Sequence, residues 1–253
     1  MLTNLQFVEK LKSVTKYKTL YVMGCFGAPL TAANKERYTK NHAYNKSPER
    51  VAMINKASAD TFGFDCACLI KAILWGWKGT SSTYGGAVYT SNGVPDINAD
   101  TMIQQCSGVT SNFSSLTTGE LVWLPGHVGV YIGNNKVIEC TPSWSNGVQI
   151  TTLGNVAKGS PSREWRLHGK LPYVKYIAES HWTPKVGDIV TYKGKVHYAS
   201  ANATTAHSCT GGRARITHIH QLGKSKHPYH LVKMTGSAST VHGWVDEGSF
   251  TKL

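Results

Sequence analysis

Between residues 62 and 77 the apolar positions fall at three- and four-residue spacing, at Leu69, Ile70, Ile73, Leu74 and Trp77. That period predicts an amphipathic helix starting at Cys66, with Asp65 as cap and Gly76 and Gly79 as stops. The same period with Thr3 or Asn4 as cap places a helix over Leu5, Val8 and Leu11. Ser47, with Pro48 in the first turn, opens another that runs to about Ser58. Asp96 or Asn98 caps a short one through Gln105. From Gly119 the period changes to two. Apolar runs at 121–124, 127–132, 136–140 and 147–151 read as consecutive antiparallel strands, turned at Pro125-Gly126 and at Gly133-Asn134-Asn135. Tyr21–Leu30 and Trp75–Pro95, punctuated by Gly and Pro, read as loops. Helices first and a sheet second predict an α+β fold over residues 1–177. Residues 178–181 read as a linker. Beyond them short strands at 188–192, 214–219, 229–233 and 241–245 recur without a helical period, which predicts a small all-β barrel over 178–253.

Composition narrows the function classes. The chain has 253 residues, 41% of them hydrophobic, and a net charge of +13, which favours a polyanionic partner. Nucleic acid is not expected, because no dense Lys/Arg cluster or nucleic-acid motif occurs. No apolar run approaches the roughly 18 residues of a membrane span. Six cysteines are scattered at 25, 66, 68, 106, 140 and 209, so no disulfide framework is expected. Cys66-x-Cys68, His218-x-His220 and His227-x-x-His230 match no ordinary structural zinc spacing. Neither a metal nor a cofactor is expected, nor any partner that would make the chain other than a monomer.

The candidate chemistry lies in the first two thirds. Cys66 falls in the first turn of its helix, where backbone N–H groups lack intrahelical partners and the dipole favours an anion. A thiol there is expected to ionise more readily than a free one. Most free cysteines are simply small buried hydrophobes, so a nucleophile also needs a base. His127 opens the strand after Pro125-Gly126. Strand alternation puts His127, Gly129 and Tyr131 on one face, with two glycines leaving space beside the imidazole. An even register across the Gly133-Asn134 turn sets Glu139 opposite His127 or one diagonal step away. There a carboxylate would hold the ring in one tautomer, completing a Cys-His-acid set.

Asp65-Cys66-Ala67-Cys68-Leu69-Ile70 followed by His127-Val128-Gly129-Val130-Tyr131 resembles the NlpC-type papain-like cysteine peptidases, which cleave cell-wall peptides. The family's usual strings are Asp-Cys-Ser-Gly-Leu-Val and His-Val-Gly-Ile-Tyr. Its upstream Tyr-x-x-Gly-Gly is echoed by Tyr21-Val22-Met23-Gly24-Cys25. Its third polar residue is most often His; the matching position here is Glu139. The wording around residues 60–77 and 84–100 looks like the phage and prophage endolysin branch. The resemblance implies a papain-like domain hydrolysing an amide of the peptidoglycan stem peptide, between D-γ-glutamate and the next diamino acid. Cys66, His127 and Glu139 would be catalytic, and Tyr21, Asp65 and Trp144 would bind substrate. The same Cys-His layout also serves N-acetylmuramoyl-L-alanine amidases, and a non-catalytic wall-binding protein is the reading from another class.

In the second domain Lys185–Val190 and His242-Gly243-Trp244-Val245 look like a bacterial SH3-like wall-binding barrel. His197, Tyr198, Tyr229 and Trp244 would form its groove, with peptidoglycan or an anionic wall polymer as partner. Trp244 reads equally well as core. The N-terminus shows no signal-peptide pattern. The expected product is made in the bacterial cytoplasm and acts on the wall after release.

Overall fold

Thr3 caps the first helix as expected, accepting from the Gln6 amide while the Gln6 side chain accepts from the Thr3 N–H. The computed structural model describes residues 1–177 and 182–253, so the expected linker lies outside the described residues. The chain divides into two compact units, Met1–Ala178 and Glu179–Leu253.

The first unit opens with β1 (Leu2–Thr3), α1 (Asn4–Val14), β2 (Thr19–Tyr21) and β3 (Phe26–Pro29). Then come α2 (Ala32–Asn41), α3 (Pro48–Lys56), β4 (Phe62–Phe64), α4 (Cys66–Leu74) and α5 (Ala99–Gln104). It continues with β5 (Ser107–Thr110), β6 (Leu121–Leu124), β7 (His127–Tyr131) and β8 (Lys136–Thr141). It ends with β9 (Gly147–Leu153), β10 (Ser162–Arg163), β11 (Leu167–Lys170) and β12 (Val174–Lys175). The stretch read as a loop over Tyr21–Leu30 instead contributes to a small sheet ordered β2-β4-β3, in which β2 and β4 run parallel. Helix α2 carried no legible period because it buries only Tyr38.

The main sheet runs β10-β9-β8-β7-β6-β11-β5, and the four consecutive antiparallel strands β6 to β9 form its centre. Helix α4 is buried on every side rather than amphipathic, and packs between α1 and strands β7 and β8. An apolar helix enclosed all round is a core helix. Its one charge, Lys71, is 5% exposed and hydrogen-bonded to Asp96. Val128, Val130, Ile138 and Cys140 face α4. The alternate positions face a second, smaller core of Phe113, Val122, Val137, Leu153 and Trp165.

The second unit comprises β13 (Ile189–Tyr192), β14 (Val196–Tyr198), β15 (Ala206–Ser208) and β16 (Gly212–Ile219). Then follow β17 (Tyr229–Lys233), β18 (His242–Val245) and β19 (Phe250–Lys252). They form a half-barrel ordered β15-β14-β18-β17-β16-β13-β19, antiparallel throughout. No pairing joins β15 to β19 among the described residues. Its core holds Val190, Tyr192, Ile216, Tyr229, Leu231 and Phe250. No helix among the described residues is long and apolar enough to cross a membrane.

Candidate active site

Asp65 begins the site. One carboxylate oxygen accepts from the Cys68 amide at 2.6 Å and caps α4; the other accepts from the Gly24 amide at 2.7 Å. The residue is buried and both oxygens are held by backbone. It therefore ties the β2–β3 loop to the start of α4, although it was expected to bind substrate.

That cap presents Cys66, 7% exposed, to a cavity of about 650 Å³ shared with Tyr21, Gly24, His42, Lys71 and Gly126. Burial first and the Asp65 charge second push the Cys66 thiol up to about 12, against the downward pull of the backbone at Val128, Ala67 and Cys66 itself. The readily ionised thiol expected from the helix N-terminus is thus not what the fold builds. Desolvation in a closed interior outweighs a dipole effect of about 1 kcal/mol.

His127 stands at the first position of β7. Its Nε2 lies 2.7 Å from Glu139 Oε2, and its ring stacks on Trp165 at 5.6 Å with planes 14° apart. Gly129 pairs with Glu139, so the imidazole and the carboxylate are diagonal neighbours. Glu139 is fully buried, and it also accepts from Thr151 Oγ1 at 2.6 Å and Arg163 Nε at 3.1 Å. Burial alone would raise its carboxyl. The His127 hydrogen bond and charge, Thr151 and Arg163 outweigh burial and hold it below the ordinary carboxylate range. A carboxylate on Nε2 fixes the proton there and leaves Nδ1 as the lone-pair nitrogen of neutral His127.

Cys66 lies on the α4 side of β7, whereas Glu139 and Trp165 lie on the opposite sheet face. His127 lies on the face of Glu139 and Trp165, at the strand end beside Gly126. Among the described residues no hydrogen bond joins Cys66 Sγ to the His127 ring. The space expected beside His127 is only partly there. Gly126 has φ +74° and nothing near its absent side chain, but a Cβ on Gly129 would lie 2.6 Å from Val137 and 3.1 Å from Trp165.

Tyr21 is buried and lines the cavity, and burial pushes its hydroxyl well up. Trp144 lies off the cavity, half-exposed, with the Arg163 guanidinium 4.9 Å from its ring centre. Thr151, Arg163 and Trp165 were not legible as site residues, because nothing in the sequence marks which positions meet Glu139 across the sheet.

In the second unit Tyr229 is 2% exposed and packs edge-on against Phe250, so it is core rather than groove. Tyr198 stacks on His227 at 3.5 Å. His227 is itself buried and hydrogen-bonded to Asp246 and to the Ala203 carbonyl. His197 and Trp244 are partly exposed. No group of three or more His, Cys, Asp or Glu among the described residues could hold a metal ion.

No family model and no curated protein matches this chain. Among solved structures, the P60 domain from the M. avium subspecies paratuberculosis antigen MAP1204 is similar over 66% of this chain and 96% of its own. The identity is 14% and the TM-score 0.34. A likeness at that level assigns neither a fold nor a function.

Proposed function

We propose that the chain is a cysteine hydrolase of peptidoglycan. The observation that carries this reading is the hydrogen bond between the buried Glu139 and His127, which opens β7 and is next along the chain to Gly126, a residue lining the cavity onto which α4 presents Cys66. The order of the Cys66 and His127 motifs supports it independently. Because the thiol is neutral at rest, His127 acts as the base through Nδ1. It takes the Cys66 proton as sulfur attacks the substrate carbonyl, and the imidazolium is held by Glu139. The tetrahedral intermediate collapses to a thioester as His127 passes its proton to the leaving amine. Water, deprotonated by His127, then releases the acid. The Cys66 N–H at the start of α4 would contribute to stabilising the developing oxyanion.

The bond we favour joins D-γ-glutamate to the following diamino acid, as the resemblance implies. An amidase reading, with cleavage between muramic acid and L-alanine, uses the same residues. The second unit serves wall binding, and the protein acts at the wall after its synthesis in the bacterial cytoplasm. Digestion of purified walls separates these readings. Newly freed amino groups on the diamino acid support the endopeptidase, and on alanine the amidase. Sedimentation with walls that stay intact leaves a binding protein.

A further inference from the structure

Seven of the eleven histidines lie in the described part of the second unit, and six of them fall into two groups, a His197–His207 pair and a cluster of His218, His220, His230 and His242 beside Trp244. His207 and His197 stack at 5.8 Å, and His242 and His230 meet edge-on at 5.8 Å. His230, His218 and His220 pack around Trp244 at 5.4, 5.5 and 6.0 Å. The register explains the gathering. His218 pairs with His230, and His230 with Trp244, across β16, β17 and β18. A register irregularity between Ile216 and His218 turns His218 outward, so it is exposed although Ile216 two positions earlier is core.

Among the described residues none of the six rings has a carboxylate partner. Two of the three acidic groups in the described part of this unit are already engaged: Asp246 holds His227, and Asp188 accepts from Trp182 and Lys185. Glu247 lies beyond Asp246 in the turn after β18. The other charged groups on the adjoining strands are cations: Arg213 and Arg215 on β16 and Lys233 on β17. On β18 and β15 the histidines are the titratable groups, and on β14 Tyr198 is occupied by its stack on His227. The Thr217 hydroxyl is within 2.6 Å of His230 Nδ1, and the buried Nδ1 of His197 has no partner.

We propose that the face carrying His218, His220, His230 and His242 is a proton-gated binding site for a phosphodiester polymer of the bacterial wall. Close-set imidazoles without counter-ions resist charging in the free protein: burial first, and then neighbouring histidines, hold His197 and His230 below the ordinary histidine range. A polyanion laid across the face supplies the missing counter-charge, so binding and protonation favour each other. Each proton taken up adds a cationic charge to a face that has no carboxylate to offset it among the described residues. Trp244 argues against nucleic acid as the occupant. Three histidine rings pack around its indole, which makes it the post that spaces them and not an open platform for stacking a base. The choice of a wall polymer rests on the function proposed above; the binding itself does not.

The test measures affinity of the full-length chain for soluble poly(glycerol phosphate), which contains no cleavable amide, so its outcome is separate from that of the hydrolase assay. At fixed ionic strength, affinity at pH 5.5 should exceed that at pH 7.5 by about tenfold or more. Replacing the exposed His218 and His242 together by Gln should reduce that ratio below about threefold. Both are exposed, and an unchanged thermal midpoint will show that the variant is folded. A pH-independent affinity, or a pH effect that survives in the folded double variant, would overturn the proposal. So would binding to duplex DNA as tight as to the polymer at pH 5.5.

Discussion

Replacing Glu139 by Gln removes one charge and almost no volume from a fully buried position. The native carboxylate receives three hydrogen bonds, from His127, Thr151 and Arg163. The amide supplies one oxygen where the carboxylate had two, and its NH2 must face one of those donors or the imidazole. Directed at His127 Nε2, it donates, which reverses the tautomer and puts the proton on Nδ1, where the base lone pair is needed. A charge-assisted hydrogen bond to a buried group is worth about 1.5–3 kcal/mol. Losing about 3 kcal/mol of it from the transition state lowers kcat/KM roughly a hundredfold. His127→Ala should lose nearly all activity, since it removes the base itself. Arg163, left beside a neutral amide, adds a stability cost seen as a lower thermal midpoint. The pH sign follows from the held-down carboxyl. The stability it contributes is full above the unfolded carboxyl pKa of about 4.3 and is lost as pH falls through the lower folded value. The wild type should therefore lose stability faster than Glu139→Gln as pH drops below about 4. The assay is kcat/KM on a soluble wall peptide, together with unfolding curves between pH 3 and 7. A folded Glu139→Gln with kcat/KM within threefold of wild type would refute the orienting role.

Three further outcomes are expected. Asp65→Ala frees the Cys68 and Gly24 amides at once, and should destabilise the chain by about 2–3 kcal/mol in denaturant unfolding; no loss would mean that α4 is capped otherwise. Iodoacetamide should label Cys66 ahead of Cys68, because Cys68 is the more deeply buried and burial pushes its thiol well up, and the Cys66 rate should keep rising beyond pH 9; a plateau below pH 7 would reveal a thiolate at rest. Residues 1–177 alone should hydrolyse soluble wall fragments at near-native rates yet lyse whole cells poorly, whereas a folded truncation inactive on fragments would place part of the site in the second unit.

Local signals in the sequence carried much of this structure. Asp65 before an apolar run announced α4, and alternation with a Gly-Asn turn gave β7, β8 and the diagonal contact between His127 and Glu139. The strands of the half-barrel at 189–192, 229–233 and 242–245 were visible in the same way. Features set by tertiary surroundings were hidden. Helix α2 is nearly all polar, and β3 and β4 are too short and glycine-rich to show a period. The elevated Cys66 pKa arises from enclosure that spacing does not report, and the packing that makes Tyr229 core depends on its partner Phe250. Thr151, Arg163 and Trp165 meet the His127–Glu139 pair only because β9, β10 and the segment after β10 fold against it.

The most direct test of the central claim is mass spectrometry of purified peptidoglycan digested by the wild type and by Cys66→Ser. The wild type should release fragments with a new amino group on the diamino acid, and a folded Cys66→Ser should release none. Equal release by both, or no cleavage by the wild type of any susceptible wall, would contradict a Cys66 nucleophile.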